Sequence, residues 1–234
     1  MKDSGAQRKE TLAQTLKTSI LTLAMRPGDD LDEAALSEQF GLSRTPLREV
    51  FRELAGAGFI ELRAGRGARV ADMSYATLRD FFLAAPMIYG AILRLAAQNA
   101  TRDQIDDLII AQEDFKKALS QGDIAARSLA NNRFHEITGE MAGNIYLLPS
   151  FSRLLIDHAR ISMTFYQENL DHSSDKIQAA SAQHDAIIEA IKLRDSERAA
   201  DLAIAHWNLS RDQIEQFVMP SALDHALGDV PSAL

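Results

Sequence analysis

Residues 36–50 of the chain read LSEQFGLSRTPLREV, and this stretch decides the fold of the first third of the sequence. A first segment of mixed apolar and polar residues ends at Gly41, and a second segment begins at Ser43. Glycine commonly ends a helix, serine is a favoured N-cap, and proline is tolerated in a first helical turn. The second segment has one apolar stripe at helical spacing, formed by Leu47, Val50, Phe51 and Leu54. The stretch therefore predicts a short helix, a tight turn and a second, amphipathic helix.

Three arginines occupy the other face of the second predicted helix. Arg44, Arg48 and Arg52 are spaced i, i+4, i+8, so they line one solvent-facing side. Thr45 lies beside Arg44 at the start of the helix. In a helix-turn-helix the second helix presents its N-terminal residues to base edges, and arginine pairs with guanine or with phosphate. The alternative is a solvated helix of arginine–glutamate pairs, but the ordered series of elements favours DNA binding.

The flanking sequence completes a winged arrangement. Upstream, a first helix is predicted from apolar residues at helical spacing, namely Leu12, Leu16, Ile20 and Leu23. Downstream, two apolar runs flank RAGRG at residues 63–67, which is typical of a small hairpin with a glycine-rich tip. Gly65 lets such a tip approach a DNA backbone or enter a minor groove, where Arg66 is placed to make contact. We therefore expect residues 1–73 to form a winged helix-turn-helix domain of three helices and a small β-hairpin.

Charge is distributed unevenly along the 234 residues. Residues 1–73 carry 11 basic and 11 acidic side chains, so the remaining 14 basic and 22 acidic side chains account for the whole net charge of −8. The six arginines between residues 43 and 70 form a local basic patch. A basic patch at one end of an acidic protein permits nucleic-acid binding at that end.

Several protein classes are excluded by composition. The chain has no cysteine, which rules out disulfide scaffolds and thiolate metal sites. Its polar first ten residues lack the apolar segment of a secretory signal, and no uninterrupted apolar run approaches the roughly 20 residues of a membrane span. We expect a cytoplasmic protein that does not bind a membrane.

From residue 74 onward the apolar residues follow the helical period almost throughout. Only 6% of the chain is aromatic, which favours helices over a β-sandwich. The pattern predicts about six helices between residues 75 and 217, enough for a bundle. We therefore expect a mainly α protein whose second domain, residues 74–234, is an all-α helical bundle.

Four of the six histidines fall on or beside apolar helical stripes of this bundle: His135, His158, His184 and His206. A single such histidine is most often a hydrogen-bonded part of the core. Several on different helices instead predict convergence on one polar site, and metal sites are commonly built inside bundles. Neutral imidazoles suit Zn²⁺ or Ni²⁺. Asn131 lies one turn before His135, so both side chains can reach one centre.

The first domain closely resembles the GntR family of bacterial regulators. The resemblance covers about residues 9–73 and rests on LSEQFGLSRTPLRE at 36–49, Leu54, GFI at 58–60 and GRGARV at 65–70. It implies a homodimer on a palindromic double-stranded operator. By motif position it implies DNA contacts from the helix start and the wing, at Arg44, Thr45, Arg48, Gly65 and Arg66. Some relatives have a further DNA-contacting arginine where this chain reads EAA at 33–35.

The second domain resembles the FadR-type ligand-binding domain, called FCD, over about residues 75–217. The resemblance rests on NNRFH at 131–135, AGN at 142–144, His184, IIEAI at 187–191, Asp195, Ala199 and His206. In metal-containing members an Asp and three His hold a divalent ion. The matching positions here are Asn131, His135, His184 and His206. Asn131 in place of Asp removes a charge and offers a weaker carbonyl ligand.

The resemblance also implies a small organic effector, commonly a carboxylic acid that completes the metal shell. Relatives often carry an R-x-x-L-E pattern in the first helix of the domain, whereas this chain reads AAPMIYG at 84–90. We therefore expect other residues to line the effector cavity, namely His158, Arg160 and Tyr166.

Three functions remain open at this stage. The leading hypothesis is a ligand-responsive transcriptional regulator, a repressor of a metabolic operon, and not an enzyme. The alternative is a metal-dependent helical enzyme with an appended nucleic-acid-binding module, although the sequence has no HExxH, no Ser/His/Asp arrangement and no phosphate-cradling glycine loop. The third is a DNA-binding protein whose bundle only dimerises, with its histidines packed as core.

Overall fold

The computed structural model describes residues 4–168 and 173–218, except for the side chains of residues 164–168, 173, 174, 210 and 212–218. Over these residues the chain forms nine α-helices and three short strands. In chain order they are α1 (Gly5–Leu21), β1 (Asp30–Leu31), α2 (Glu33–Phe40), α3 (Arg44–Ala57), β2 (Ile60–Arg63), β3 (Gly67–Val70), α4 (Tyr75–Asn99), α5 (Arg102–Gln121), α6 (Ile124–Ala142), α7 (Leu148–Glu168), α8 (Ser173–Lys192) and α9 (Ser196–Val218). The predicted mainly α class is confirmed.

The first three helices form the predicted helix-turn-helix. Asp32 caps α2 by accepting hydrogen bonds from the backbone N–H groups of Ala34 and Ala35. Gly41 ends the same helix in the left-handed conformation, which reverses the chain into α3. The apolar stripe of α3 is fully buried against α1 and the sheet. This burial leaves the opposite side of α3 in solvent.

The wing is a three-stranded antiparallel sheet rather than a simple hairpin. Strand β3 lies in the centre, between β2 and the two-residue strand β1. The sequence predicted only the β2–β3 hairpin, because a strand of two residues is too short to show an alternating pattern. At the tip, Gly65 and Gly67 have φ values of 69° and 75°, a conformation that side-chain-bearing residues rarely adopt. The tight turn therefore depends on glycine.

The six helices α4 to α9 pack into a bundle around one large apolar core. Its boundaries follow local signals in the sequence, such as the capping box that Thr101 and Gln104 form at the start of α5. Helix α4 is long and apolar enough to cross a membrane by length and composition, and 44% of that window is buried inside the protein.

Helix α7 takes part in both hydrophobic cores. Phe151, Leu154 and Leu155 belong to the core of the bundle. Ile156 and Ala159 of the same helix are buried in the core of the winged helix-turn-helix. The division of the chain at residue 73 stays a prediction, and α7 is the element through which the two parts touch most closely.

Candidate DNA-reading surface and metal centre

The residues predicted to read DNA lie on one exposed surface. Arg44, Thr45, Arg48 and Arg52 are all exposed along the solvent side of α3. Ser43 occupies the N-cap in an extended conformation and makes no side-chain hydrogen bond to the helix. The first turn of α3, with its free N–H groups, therefore faces outward and can approach an anionic partner.

A groove of about 350 Å³ separates α3 from the wing. It is lined by Glu33, Arg48, Phe51, Arg52, Leu62, Arg63, Gly65 and Gly67. The Nε atom of Arg48 lies 3.6 Å from Oε2 of Glu33, so this arginine has one acidic neighbour. Gly65 of the wing lines the same groove as Arg48 and Arg52, and the exposed Arg66 follows it in the chain, so the predicted wing contacts lie beside the predicted helix contacts.

Charge pairing within the domain neutralises some of its arginines and leaves others available. Arg63 pairs with Asp30, and Arg69 pairs with Glu61 at 2.8 Å. Within the described part of the chain, Arg44, Arg52 and Arg66 have no carboxylate within 4 Å. A phosphate backbone can neutralise these three cations without first breaking an ion pair.

Three histidines from three helices of the bundle converge on one point. His135 of α6, His184 of α8 and His206 of α9 each place one ring nitrogen within 4.8 Å of the others. All three are buried, with exposed fractions of 2%, 0% and 6%. The predicted convergence of these histidines is therefore seen in the fold, and the group is compact enough to hold a metal ion.

Two glutamines accept hydrogen bonds from two of the three histidines in this cluster. The Nδ1 atom of His184 lies 2.9 Å from Oε1 of Gln112, and Nδ1 of His206 lies 3.0 Å from Oε1 of Gln183. The Gln112 amide cannot be reversed, because its Nε2 donates to the backbone oxygen of Ser181 at 2.9 Å. Since amide oxygens only accept, each Nδ1 carries the proton and each Nε2 keeps its lone pair.

The remaining lone pairs fit a divalent ion. The Nε2 atoms of His135 and His184 are buried and have no hydrogen-bond partner among the described residues. A buried polar atom without a partner is costly and commonly marks a missing ligand. Three neutral imidazoles are the donor set that Zn²⁺ or Ni²⁺ accepts.

Burial keeps these imidazoles neutral. Desolvation, followed by the charge of the neighbouring histidines, lowers the pKa of His135 and His184 well below 6.5. The same desolvation lowers the pKa of His206 to about 3 and that of His158 to about 4. At neutral pH the cluster therefore offers lone pairs rather than positive charges.

The other predicted site residues have different surroundings. His158 lies beside the cluster, with its ring 5.5 Å from that of His135 and its Nδ1 2.8 Å from the Tyr89 hydroxyl. Arg160 is fully buried, and its guanidinium donates to the backbone oxygen of Ala71 at 2.8 Å. Asn131 is half-buried, one turn before His135. The side chain of Tyr166 lies outside the described residues.

Sequence reasoning missed four residues around the cluster: Tyr89, Gln112, Gln183 and Trp207. Tyr89 belongs to the stretch AAPMIYG, where the one signal in the sequence is the absence of the R-x-x-L-E pattern. Gln112 is 72 residues from His184, so only the packing of α5 on α8 brings the two together. Gln183 directly precedes His184, and a polar residue at that place carries no recognisable signal.

Two family models match the chain and together cover most of it. The model described as "Bacterial regulatory proteins, gntR family" matches residues 8–70, and the FCD domain model matches residues 86–209. The chain belongs to the GntR family. The second match spans more than half of the regulator, and the resemblances seen in the sequence are thereby confirmed.

Relatives of the regulator carry the same architecture over most of their length. It is 30% identical to the transcriptional repressor NanR of Citrobacter rodentium, over 94% of this chain and 86% of that protein. It is 28% identical to a probable D-xylose utilization operon transcriptional repressor of Paenarthrobacter nicotinovorans, over 76% of each chain. The solved structure of E. coli McbR/YncC shares the fold, with a TM-score of 0.73 at 19% identity over 90% of the regulator and 98% of that chain.

Family and geometry together establish the class of function. The regulator is a ligand-responsive, DNA-binding transcriptional regulator, because a GntR helix-turn-helix precedes an FCD domain in one chain. The GntR family is not an enzyme class, so the alternative of a helical metalloenzyme is excluded. The histidine cluster is therefore interpreted as part of a sensing domain.

Proposed function

We propose that this GntR regulator represses a metabolic operon by binding a palindromic operator as a homodimer in the cytoplasm. The observation that carries the proposal is the exposed arginine surface of α3, which lies beside a glycine-tipped wing. Two relatives described above are named as repressors, which supports the negative sign of regulation. Two-fold symmetry in the operator would match two-fold symmetry in the protein.

The DNA-reading residues divide into two groups. Arg44, Thr45 and Arg48 would contact base edges from the start of α3, because the N-terminal residues of a recognition helix lie deepest in the major groove. Arg52, one turn further along, would contact phosphate. Gly65 and Arg66 would place the wing against the backbone or in the adjacent minor groove.

The sensing site would be built on a divalent ion, Zn²⁺ or Ni²⁺, held by His135, His184, His206 and Asn131. The three lone pairs described above support this assignment. When bound, such an ion acts as a Lewis acid that accepts an oxygen of a small carboxylic acid. Because asparagine is neutral, these four protein residues would bring no negative charge to the site, which favours an anionic effector.

Effector binding would change which dimer geometries are populated. His158 would contact a ligand on the ion, because its ring lies 5.5 Å from that of His135, and the contact of Tyr166 remains a prediction. A shift between dimer geometries changes the spacing that the two recognition helices present to the two half-sites. The effector would thereby release the operator.

Nuclease protection of the regulator's own promoter region tests the proposal. We expect two protected half-sites of inverted sequence, separated by about one helical turn of roughly 10 base pairs or a multiple of it. The variant Arg44→Ala should lose this protection, and Arg133→Ala, an arginine on the bundle surface, should keep it. Equal protection of random DNA would contradict the proposal.

Metal analysis tests the sensing half separately. We expect about one Zn²⁺ or Ni²⁺ per chain, and a rise in thermal stability with small carboxylic acids that is lost when the metal is chelated. A metal-free protein with no response to acids would instead favour the third hypothesis, in which the bundle only dimerises.

A further inference from the structure

Two stripes of side chains run along opposite sides of helix α7, and each stripe contains both polar and apolar residues. One stripe, at spacing i, i+4, i+7, faces the bundle and contains Phe151, Leu155 and His158. The other runs i, i+3, i+4, i+7 and faces the winged domain, with Arg153, Ile156, Asp157 and Arg160. The stripes start two residues apart, which is about 200° around a helix. One rigid element therefore contacts both functional parts of the chain.

Arg160 grips the segment that joins the wing to the bundle. Its Nη1 donates to the backbone oxygen of Ala71 at 2.8 Å, and its Nη2 lies 3.3 Å from that of Asp72. Both residues lie between the end of β3 and the start of α4. Oδ1 of Asp157, one turn earlier on α7, lies 3.0 Å from Nη2 of Arg160 and forms an ion pair with the guanidinium. The buried arginine thus faces away from the histidine cluster.

A second arginine connects α7 to the end of the recognition helix. Nη1 of Arg153 donates to the backbone oxygen of Gly58 at 2.7 Å. Gly58 ends α3 with φ of 92°, and a Cβ there would lie only 2.5 Å from Cδ of Arg153. The approach of α7 therefore requires glycine at this place, and it fixes the end of α3 relative to the bundle.

The other side of α7 touches the sensing centre. Nδ1 of His158 lies 2.8 Å from the hydroxyl of Tyr89, and its ring is 5.5 Å from His135. Trp207, the single tryptophan of the chain, packs within 6.4 Å of the same ring. A ligand that changes the position of His158 must move α7 or strain it, because helices transmit displacement along their length and interfaces are close-packed.

We infer that α7 couples the histidine centre to the DNA-reading domain, and that Arg153 and Arg160 are the positioning residues of this coupling rather than contacts to the effector. The inference rests on the proposed function and adds its route of regulation. A shift of His158 moves α7. It thereby changes the hydrogen bonds of Arg160 to the wing connection and that of Arg153 to the end of α3. The recognition helix is thereby reoriented without any contact between ligand and DNA.

The coupling is measurable with zinc as the probe, because binding effects between two sites are reciprocal. The affinity of intact protein for a labelled duplex of its promoter region is measured with and without Zn²⁺. The affinity for Zn²⁺ is measured from Trp207 emission with and without that duplex. For the unaltered protein we expect the two ratios to be equal and to lie at about 5–150-fold.

The variant Arg153→Ala should bring both ratios close to one, while promoter affinity without zinc and zinc affinity without DNA change less than about twofold. Arg160→Lys, which keeps the charge but loses the planar fork, should reduce both ratios as well. Arg133→Ala is the matched control, since that side chain pairs only with Glu136 and Glu140 of its own helix among the described carboxylates. It should leave both ratios unchanged.

The inference is overturned if both α7 variants keep the full ratios, or if the unaltered protein binds zinc and promoter independently. Failure to prefer the promoter at all would instead contradict the proposed function. If the protein takes up no zinc, Tyr89→Phe replaces it as the perturbation, because this change removes the hydroxyl that contacts His158. Tyr89→Phe should alter the promoter affinity of the otherwise unaltered protein but not that of the Arg153→Ala variant. Equal effects in both proteins would overturn the inference.

Discussion

The regulator carries two polar sites in opposite surroundings, one exposed to water and one buried in the bundle. The arginine surface of α3 is in water, where its charges attract a polyanion over long distances and are screened by salt. The histidine centre is inside the bundle, where charge is expensive and the imidazoles stay neutral. Polar residues in one chain therefore act through charge where they are exposed and through lone pairs where they are buried.

Acid should break the buried site and spare the exposed one. Below about pH 6.5 the unfolded chain takes up protons on His158 and His206, whereas the folded chain resists until about pH 4 and 3. Stability from neutral burial is therefore complete above pH 6.5 and is lost as pH falls. At pH 5 the loss is about 2 kcal/mol for each histidine, so about 4 kcal/mol together.

Urea unfolding of the chelated protein between pH 7.5 and 5 checks this expectation. His158→Gln should flatten part of the pH dependence, because it removes one of the four buried imidazoles whose pKa is lowered on folding. A free energy of unfolding that stays constant over this range would show that the imidazoles are not neutral by burial.

Loss of an exposed arginine should affect recognition and leave the buried site intact. Arg48→Ala is expected to weaken promoter binding by about 1–3 kcal/mol, or about 5–150-fold, because a bidentate guanine contact is lost. Binding to random duplex and to Zn²⁺ should change little. Fluorescence anisotropy with Arg133→Ala as the control measures the difference, and an equal loss on both duplexes would reassign Arg48 to phosphate.

Removal of the Gln112 oxygen, the hydrogen-bond partner of His184, should weaken metal binding and leave DNA binding intact. Gln112→Met keeps the volume but loses the oxygen that accepts from Nδ1, and loss of such a hydrogen bond to a metal-binding histidine lowers metal affinity about 10–100-fold. Promoter affinity without metal should be unchanged. Competition with a chromogenic chelator gives the affinity. Gln121→Met, on the exposed end of the same helix, is the control, and similar affinities in both variants would remove Gln112 from the site.

The smallest expected effect is at the wing. Arg66→Ala should weaken binding to promoter and to random duplex alike, and should reduce the slope of log affinity against log salt by about one. A salt titration of both duplexes measures the slope. A loss confined to the promoter would mean that Arg66 reads bases instead.

The two sites also differ in how far the sequence predicts them. The recognition helix follows from local signals, since Gly41, Ser43 and the stripe from Leu47 to Leu54 all lie within one short segment. The histidine convergence follows from helical phase alone, because each ring falls on a buried stripe. Its polar partners do not, since Gln112 meets His184 only through the packing of distant helices.

The contacts of Arg160 depend on the packing of α7 against the winged domain, which its neighbours in the sequence do not reveal. Arg160 is predicted to line the effector cavity together with His158, which is two residues earlier in the chain. Two residues along a helix are about 200° apart, so the two side chains lie on opposite sides of α7. Strand β1 was missed for a different reason, since its two residues pair only once β3 is in place.

One measurement tests most directly whether the exposed arginine charges of α3 bind DNA while the buried histidine centre holds no metal. The regulator with its metal removed is titrated against its promoter duplex and a shuffled duplex at 50 and 200 mM salt. We predict tighter binding to the promoter at both salt concentrations, with affinity for both duplexes falling steeply as salt rises. Equal affinity for the two duplexes, or no dependence on salt, would contradict a DNA-reading role for the arginine surface.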